Sequence, residues 1–160
     1  AAVAPRAGRG GWKGRAGSCN FAGAALRGGG KAIADALEPV FAALRERMVR
    51  AARGMDVAQD AAANLVLKTP WIEPGKKEPA WFGAVQLRKN YVSYHLMPVY
   101  ALPALLEAVP PALRKRMQGK SCFNFKTVEP ELFDALERLT ARCAEAYATR
   151  VAPTPHSGDR

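Results

Sequence analysis

Cysteine is scarce in this chain of 160 residues: Cys19, Cys122 and Cys143 are odd in number and form no CxxC pair. That spacing excludes a paired-cysteine zinc site and the dense disulfide framework of a small secreted domain. A reducing, cytoplasmic setting is therefore expected. Long apolar runs are also missing, because Arg, Lys, Asp or Glu interrupts every helical stretch before the roughly 20 apolar residues that a membrane-spanning helix needs. The expectation is a soluble protein with no membrane partner. Acidic side chains are absent from residues 1–30, which hold Arg6, Arg9, Lys13, Arg15 and Arg27 among many Gly and Ala, for a charge of +5. No apolar stretch there reaches the length of a signal-peptide core. Residues 1–30 are expected to be a disordered basic extension, and residues 151–160 a flexible tail.

Half of the formal charge of +10 thus precedes residue 31. Residues 31–150 hold 18 basic and 13 acidic side chains, so the domain itself is only moderately basic. Such a balance permits nucleic-acid binding without indicating it. With 49% apolar residues and this length, one domain with one core is expected over residues 31–150.

The apolar pattern sets out the elements. Ile33, Leu37, Phe41, Leu44 and Met48 recur at helical spacing, with Gly54 as a stop. Pro39 cannot donate to a helical ladder, which predicts a helix that either begins near Glu38 or kinks there, with the start near Glu38 preferred. A polar, Ala-rich connection leads to a short strand over 64–69 and a turn-rich loop over 70–79. Residues 81–88 and 91–99 are rich in aromatic and β-branched side chains and predict a hairpin turning at Lys89 and Asn90. Alternation on its second strand sends Val92, Tyr94 and Leu96 to one face and Tyr91, Ser93, His95 and Met97 to the other. Two short helices over 102–108 and 112–117, a strand over 121–126 and a closing helix over 129–149 complete the order. That helix carries Leu132, Leu136, Leu139, Cys143 and Tyr147 along one stripe. Helices at both ends of a strand block predict an α+β fold with an antiparallel sheet covered on one face.

The stretches FGAVQLRKNYVSYHLMPVY and LRKRMQGKSCFNFK closely resemble the YdhG-like family of domains of unknown function. The resemblance is dense over 81–126 and looser over the flanking helices. It implies a two-layer, frataxin-like α/β sandwich, with both terminal helices on one face of the sheet. By family analogy it also raises iron binding or iron delivery. Iron binding of the frataxin kind uses clustered carboxylates, whereas the first helix here interleaves Asp35, Glu38 and Glu46 with Arg45, Arg47, Arg50 and Arg53. Asp56 and Asp60, four residues apart if helical, are the weak metal candidates.

Three constellations could carry chemistry. Ser93 and His95 share a strand face, but strand rise separates them by about 6 to 7 Å and no acid lies between Glu78 and Glu107 to orient the histidine. A hydrolase dyad is therefore not expected, and an enzyme using His95 is the second alternative. Arg114, Lys115, Arg116, Lys120 and Lys126 are five cations without an intervening acid, and Gly119 allows a turn that presents Lys120 and Ser121 to a phosphate or carboxylate. Phe123 and Phe125 share a face while Tyr91 and Tyr94 do not, so the aromatic residues cannot form one stacking platform. The sequence thus predicts a non-enzymatic binding domain for a small anion or a protein partner, with Tyr91, Ser93, His95, Lys120, Ser121 and Asn124 as its ligand-binding residues and no resident cofactor.

Overall fold

In the first helix the buried positions are Leu37, Val40, Phe41, Leu44, Met48, Ala51 and Ala52, a stripe of helical period with the charged residues outside it. A computed structural model describes residues 31–151 of the chain, and the expectations for residues 1–30 and 152–160 lie outside the described residues. Helix α1 spans Lys31–Ala51 and runs through Pro39, correcting the expected start near Glu38. Pro39 faces solvent, where water can satisfy the carbonyl that its missing N–H leaves open. Ile33 falls outside the buried stripe and is exposed.

The expected Ala-rich connection is a strand, β1 (Asp56–Ala61), which forms a hairpin with β2 (Asn64–Lys68). Every β1 side chain is exposed, so the strand carries no alternation from which it could be recognised. Strands β3 (Trp81–Leu87) and β4 (Val92–Leu96) form the expected hairpin, closed by an Arg88 N–H to Tyr91 carbonyl bond of 2.8 Å. The second strand ends at Leu96 and not at Val99, because Pro98 opens a short helix, α2 (Met97–Ala101). A 3-10 turn at Pro103–Leu106 and the short α3 (Pro111–Arg114) replace the longer helices expected there. Strand β5 is the dipeptide Met117–Gln118, β6 spans Cys122–Phe125, and α4 spans Pro130–Val151.

The six strands make one open antiparallel sheet in the order β1-β2-β3-β4-β6-β5. Alternation gives each strand one face toward the helices. Leu65, Val85, Tyr94 and Phe123 stand in register across four strands and join Leu44, Met48, Phe133, Leu136 and Leu139 in one core. Phe125 and Phe133 meet edge to face at 5.0 Å, and Phe82 and Tyr147 at 5.9 Å. A bulge makes Phe82 an extra residue in β3, since Leu67 pairs with Gly83 and Lys68 with Trp81. Phe82 thereby joins the core, while a Cβ on Gly83 would stand 2.9 Å from the His95 carbonyl oxygen and 3.1 Å from the Met48 methyl. Only a residue without a side chain lets β3 approach α1 this closely.

Helix α4 is tied to α1 by charge as well as packing. Arg50 spans both oxygens of Glu137 at 2.7 and 2.6 Å, and Arg47 reaches Glu137 at 3.2 Å and also pairs with Asp134. Among the described residues no helix is long and apolar enough to cross a membrane.

Candidate functional site

With α1 and α4 on one side of the sheet, the opposite face displays the other half of each strand's alternation. Asn64, Gln86, Ser93 and Asn124 form one cross-strand row, and Val66, Ala84, His95, Cys122 and Gln118 form the next. Val66, Ala84 and Ser93 are buried and make a low floor bordered by longer polar side chains. Asn64 donates to Gln59 at 2.8 Å, Gln86 donates to Asn64 at 3.0 Å, and Arg88 donates to Gln86. Asn124 donates to Gln118 across the other flank. The band is therefore built from amides, with the Ser93 hydroxyl between its two flanks.

One atom in this band lacks a partner. The Asn124 Oδ1 is shielded within the face and accepts no hydrogen bond from the described residues. A shielded polar atom left unpaired costs free energy on the order of 1–3 kcal/mol.

His95 stands in the second row, half-buried, with both ring nitrogens turned to sulfur. Its Nδ1 lies 2.8 Å from Cys122 Sγ and its Nε2 lies 3.1 Å from Met97 Sδ. Burial lowers the His95 pKa from its ordinary value and favours the neutral ring. The β4–β6 register, which pairs His95 directly with Cys122, creates this contact. Sequence reasoning weighed Ser93 as the neighbour of His95 and missed Cys122. The signal lay in matching the apolar residues of CFNF to those of VSYHL, since antiparallel pairing of Phe123 with Tyr94 places Cys122 beside His95.

Of the expected ligand-binding residues, the structure brings Ser93, His95 and Asn124 onto this face. Tyr91 is half-buried in the β3–β4 turn, outside the ladder. Lys120 and Ser121 take other directions. The Lys120 ammonium lies 5.6 Å from the centre of the Tyr100 ring, and Ser121 is buried, its carbonyl accepting the Leu96 N–H at 2.9 Å. Gly119 does adopt the expected left-handed turn, with φ of 75°. Arg114 donates to the Leu106 carbonyl and Arg116 pairs with Glu129 at 2.7 Å, so three of the five cations in that stretch are engaged within the domain.

Asp56 and Asp60 lie on a strand and not a helix, which corrects the spacing on which their metal candidacy depended. The register pairs Asp56 with Lys68 and Asp60 with Leu65, so the two carboxylates leave opposite faces of the sheet. Arg45 engages both oxygens of Asp60, through its Nε at 2.8 Å and through Nη2, and holds that carboxyl below its ordinary pKa. Among the described residues no three His, Cys, Asp or Glu side chains gather as a metal site.

A groove of about 720 Å³ follows the outer seam of α1 and α4, bordered by Arg50, Arg53, Glu137 and Arg138 over a floor that includes Ala141, Ala144 and Ala148. Its central charges, Arg50 and Glu137, already satisfy each other. Comparison of the chain with protein-family models, with curated proteins and with solved structures returned no match.

Proposed function

We propose that this chain is a non-enzymatic binding domain of the YdhG-like, frataxin-like type, and that its helix-free sheet face engages a protein partner through hydrogen bonds. The carrying observation is the band of Asn64, Gln86, Ser93, Asn124 and Gln118, a continuous set of neutral donors and acceptors across the sheet face. A helix at each end of six antiparallel strands, with short helical segments only between β4 and β5, supports the frataxin-like reading. The chemistry of the face selects the partner. Asn64, Gln86, Ser93, Asn124 and Gln118 offer neutral donors and acceptors, which suit a protein surface carrying backbone or side-chain N–H groups better than a small anion.

The test places a photo-crosslinking residue at Gln86 on the sheet face and, separately, at Ala141 beside the helical groove. Adducts with a defined protein are expected from Gln86 and not from Ala141. With that protein purified, Asn124→Ala is expected to weaken binding about tenfold, equivalent to roughly 1.4 kcal/mol. Equal adducts from both positions, or unchanged affinity in a folded Asn124→Ala protein, would remove the sheet face as the binding surface.

A further inference from the structure

The contacts of His95 fix more than its position. A thioether sulfur has no hydrogen to give, so the 3.1 Å contact between Met97 Sδ and His95 Nε2 is a hydrogen bond in the tautomer that carries the hydrogen on Nε2, and it favours that tautomer. In that tautomer Nδ1 is bare, and at 2.8 Å it is placed to accept the Cys122 thiol proton. Burial keeps the ring neutral by lowering its pKa, so the base is available at neutral pH. The pair lies on the sheet face away from the helices, and Cys122 is partly exposed and reduced. Cys143 provides the contrast. It is fully buried in the core, and burial pushes its thiol up to about 12.

We propose that Cys122 is a nucleophilic modification site with His95 as its base and Met97 as the residue that favours the required tautomer, and that it takes low-molecular-weight disulfides. This site stands independently of the protein-binding reading. In the step, His95 Nδ1 accepts the thiol proton as Cys122 Sγ attacks one sulfur of the disulfide. A bond forms between Sγ and that sulfur, the original sulfur–sulfur bond breaks, and the departing thiolate takes the proton back from His95. The Cys122 sulfur is oxidised, the departing half is reduced, and no further reagent is needed. The product is a stoichiometric mixed disulfide on the sheet face.

Uncharged side chains stand beside the pair on the neighbouring strands. Ala84 and Gln86 on β3, Ser93 on β4, Met97 on α2, Gln118 on β5 and Asn124 on β6 carry no charge at neutral pH, and the Lys120 ammonium is drawn to Tyr100. A thiol without a base loses reactivity about tenfold per pH unit below its pKa of about 8.5. A thiol served by His95 keeps its rate until the ring protonates, below about 6.5.

The experiment treats the full chain with oxidised glutathione and follows each cysteine by intact mass and peptide mapping, in native buffer and in guanidinium chloride. Native Cys122 is expected to react at least tenfold faster at pH 7 than the same residue in the unfolded chain, with a rate nearly level between about pH 6.5 and 8, while native Cys143 stays unmodified. A His95→Gln protein that retains its melting transition is expected to lose the acceleration. A native Cys122 rate no greater than the unfolded one, or a wild-type profile that falls tenfold per unit below about 8.5, would overturn the proposal. So would a folded His95→Gln protein that reacts as fast as wild type.

Discussion

A single buried hydroxyl pair shows how individual residues specify this fold. Tyr94 is fully buried, and its hydroxyl lies 2.6 Å from Thr140 Oγ1, which itself donates to the Leu136 carbonyl at 2.8 Å. The threonine has one hydrogen and it is committed, so Tyr94 must be the donor in the shared bond. Burial raises the phenol's pKa and keeps that proton in place. The two substitutions therefore differ in kind. Thr140→Val strands a buried O–H and is expected to cost about 1–3 kcal/mol, whereas Tyr94→Phe leaves Thr140 bonded to Leu136 and is expected to cost about 0.5–1.5 kcal/mol. Removing both groups should cost less than the sum of the two changes. Denaturant unfolding of the three variants measures this coupling, and strictly additive costs would show that the bond contributes nothing of its own.

At the scale of elements, the two terminal helices are joined by the Arg47, Arg50, Asp134 and Glu137 network, which makes their docking sensitive to acid. The Arg50 guanidinium, hydrogen-bonded to Glu137, is the main cause that holds this carboxyl below its ordinary pKa, with Arg47 adding to it. A carboxyl with a depressed folded pKa stabilises the fold fully above its unfolded value of about 4.3, and that stabilisation is lost as pH falls through the folded value. Glu137→Gln should therefore lower the melting temperature at pH 7 and flatten its decline below about pH 4.5. An unchanged acid limb would place the acid sensitivity elsewhere. The terminal helices were legible in sequence because each buries one face at spacing 3.6, and the β3–β4 hairpin because its aromatic and β-branched strands are rich in strand-forming residues and meet at a short polar turn. Strand β1 was not legible, since DVAQDA is exposed at all six positions and is a strand only because β2 offers it a ladder. Pro39 misled for a related reason: a packed stripe from Leu37 to Met48 outweighs one lost hydrogen bond on the solvent side.

For the whole molecule, what the sequence could not supply was the order of strands. Ser93, His95 and Asn124 could be named from local alternation, but Cys122 meets His95 only because β6 passes beside β4 while β5 lies outside it. That long-range pairing also sets how stability is distributed. Strand β4 sits between β3 and β6, and its Val92, Tyr94 and Leu96 are fully buried against α1 and α4. The two margins are poorer: β1 is exposed throughout and interrupted by a bulge between Val57 and Gln59, and β5 contributes only two residues. Both features also blunt the edges against pairing with another sheet, β1 with Asp56 and Asp60 in addition. Amide exchange should follow this gradient, because central ladder bonds open only with the cooperative unit whereas marginal ones open by local fraying. In native-state hydrogen exchange followed by NMR, the hydrogen-bonded amides of β3, β4 and β6 are expected to exchange at the rate of global unfolding, and those of β1 at least a hundredfold faster. Equal protection in β1 and β4 would mean that the first hairpin belongs to the same cooperative unit as the centre of the sheet, and that an exposed, bulged edge is held by something other than its own burial.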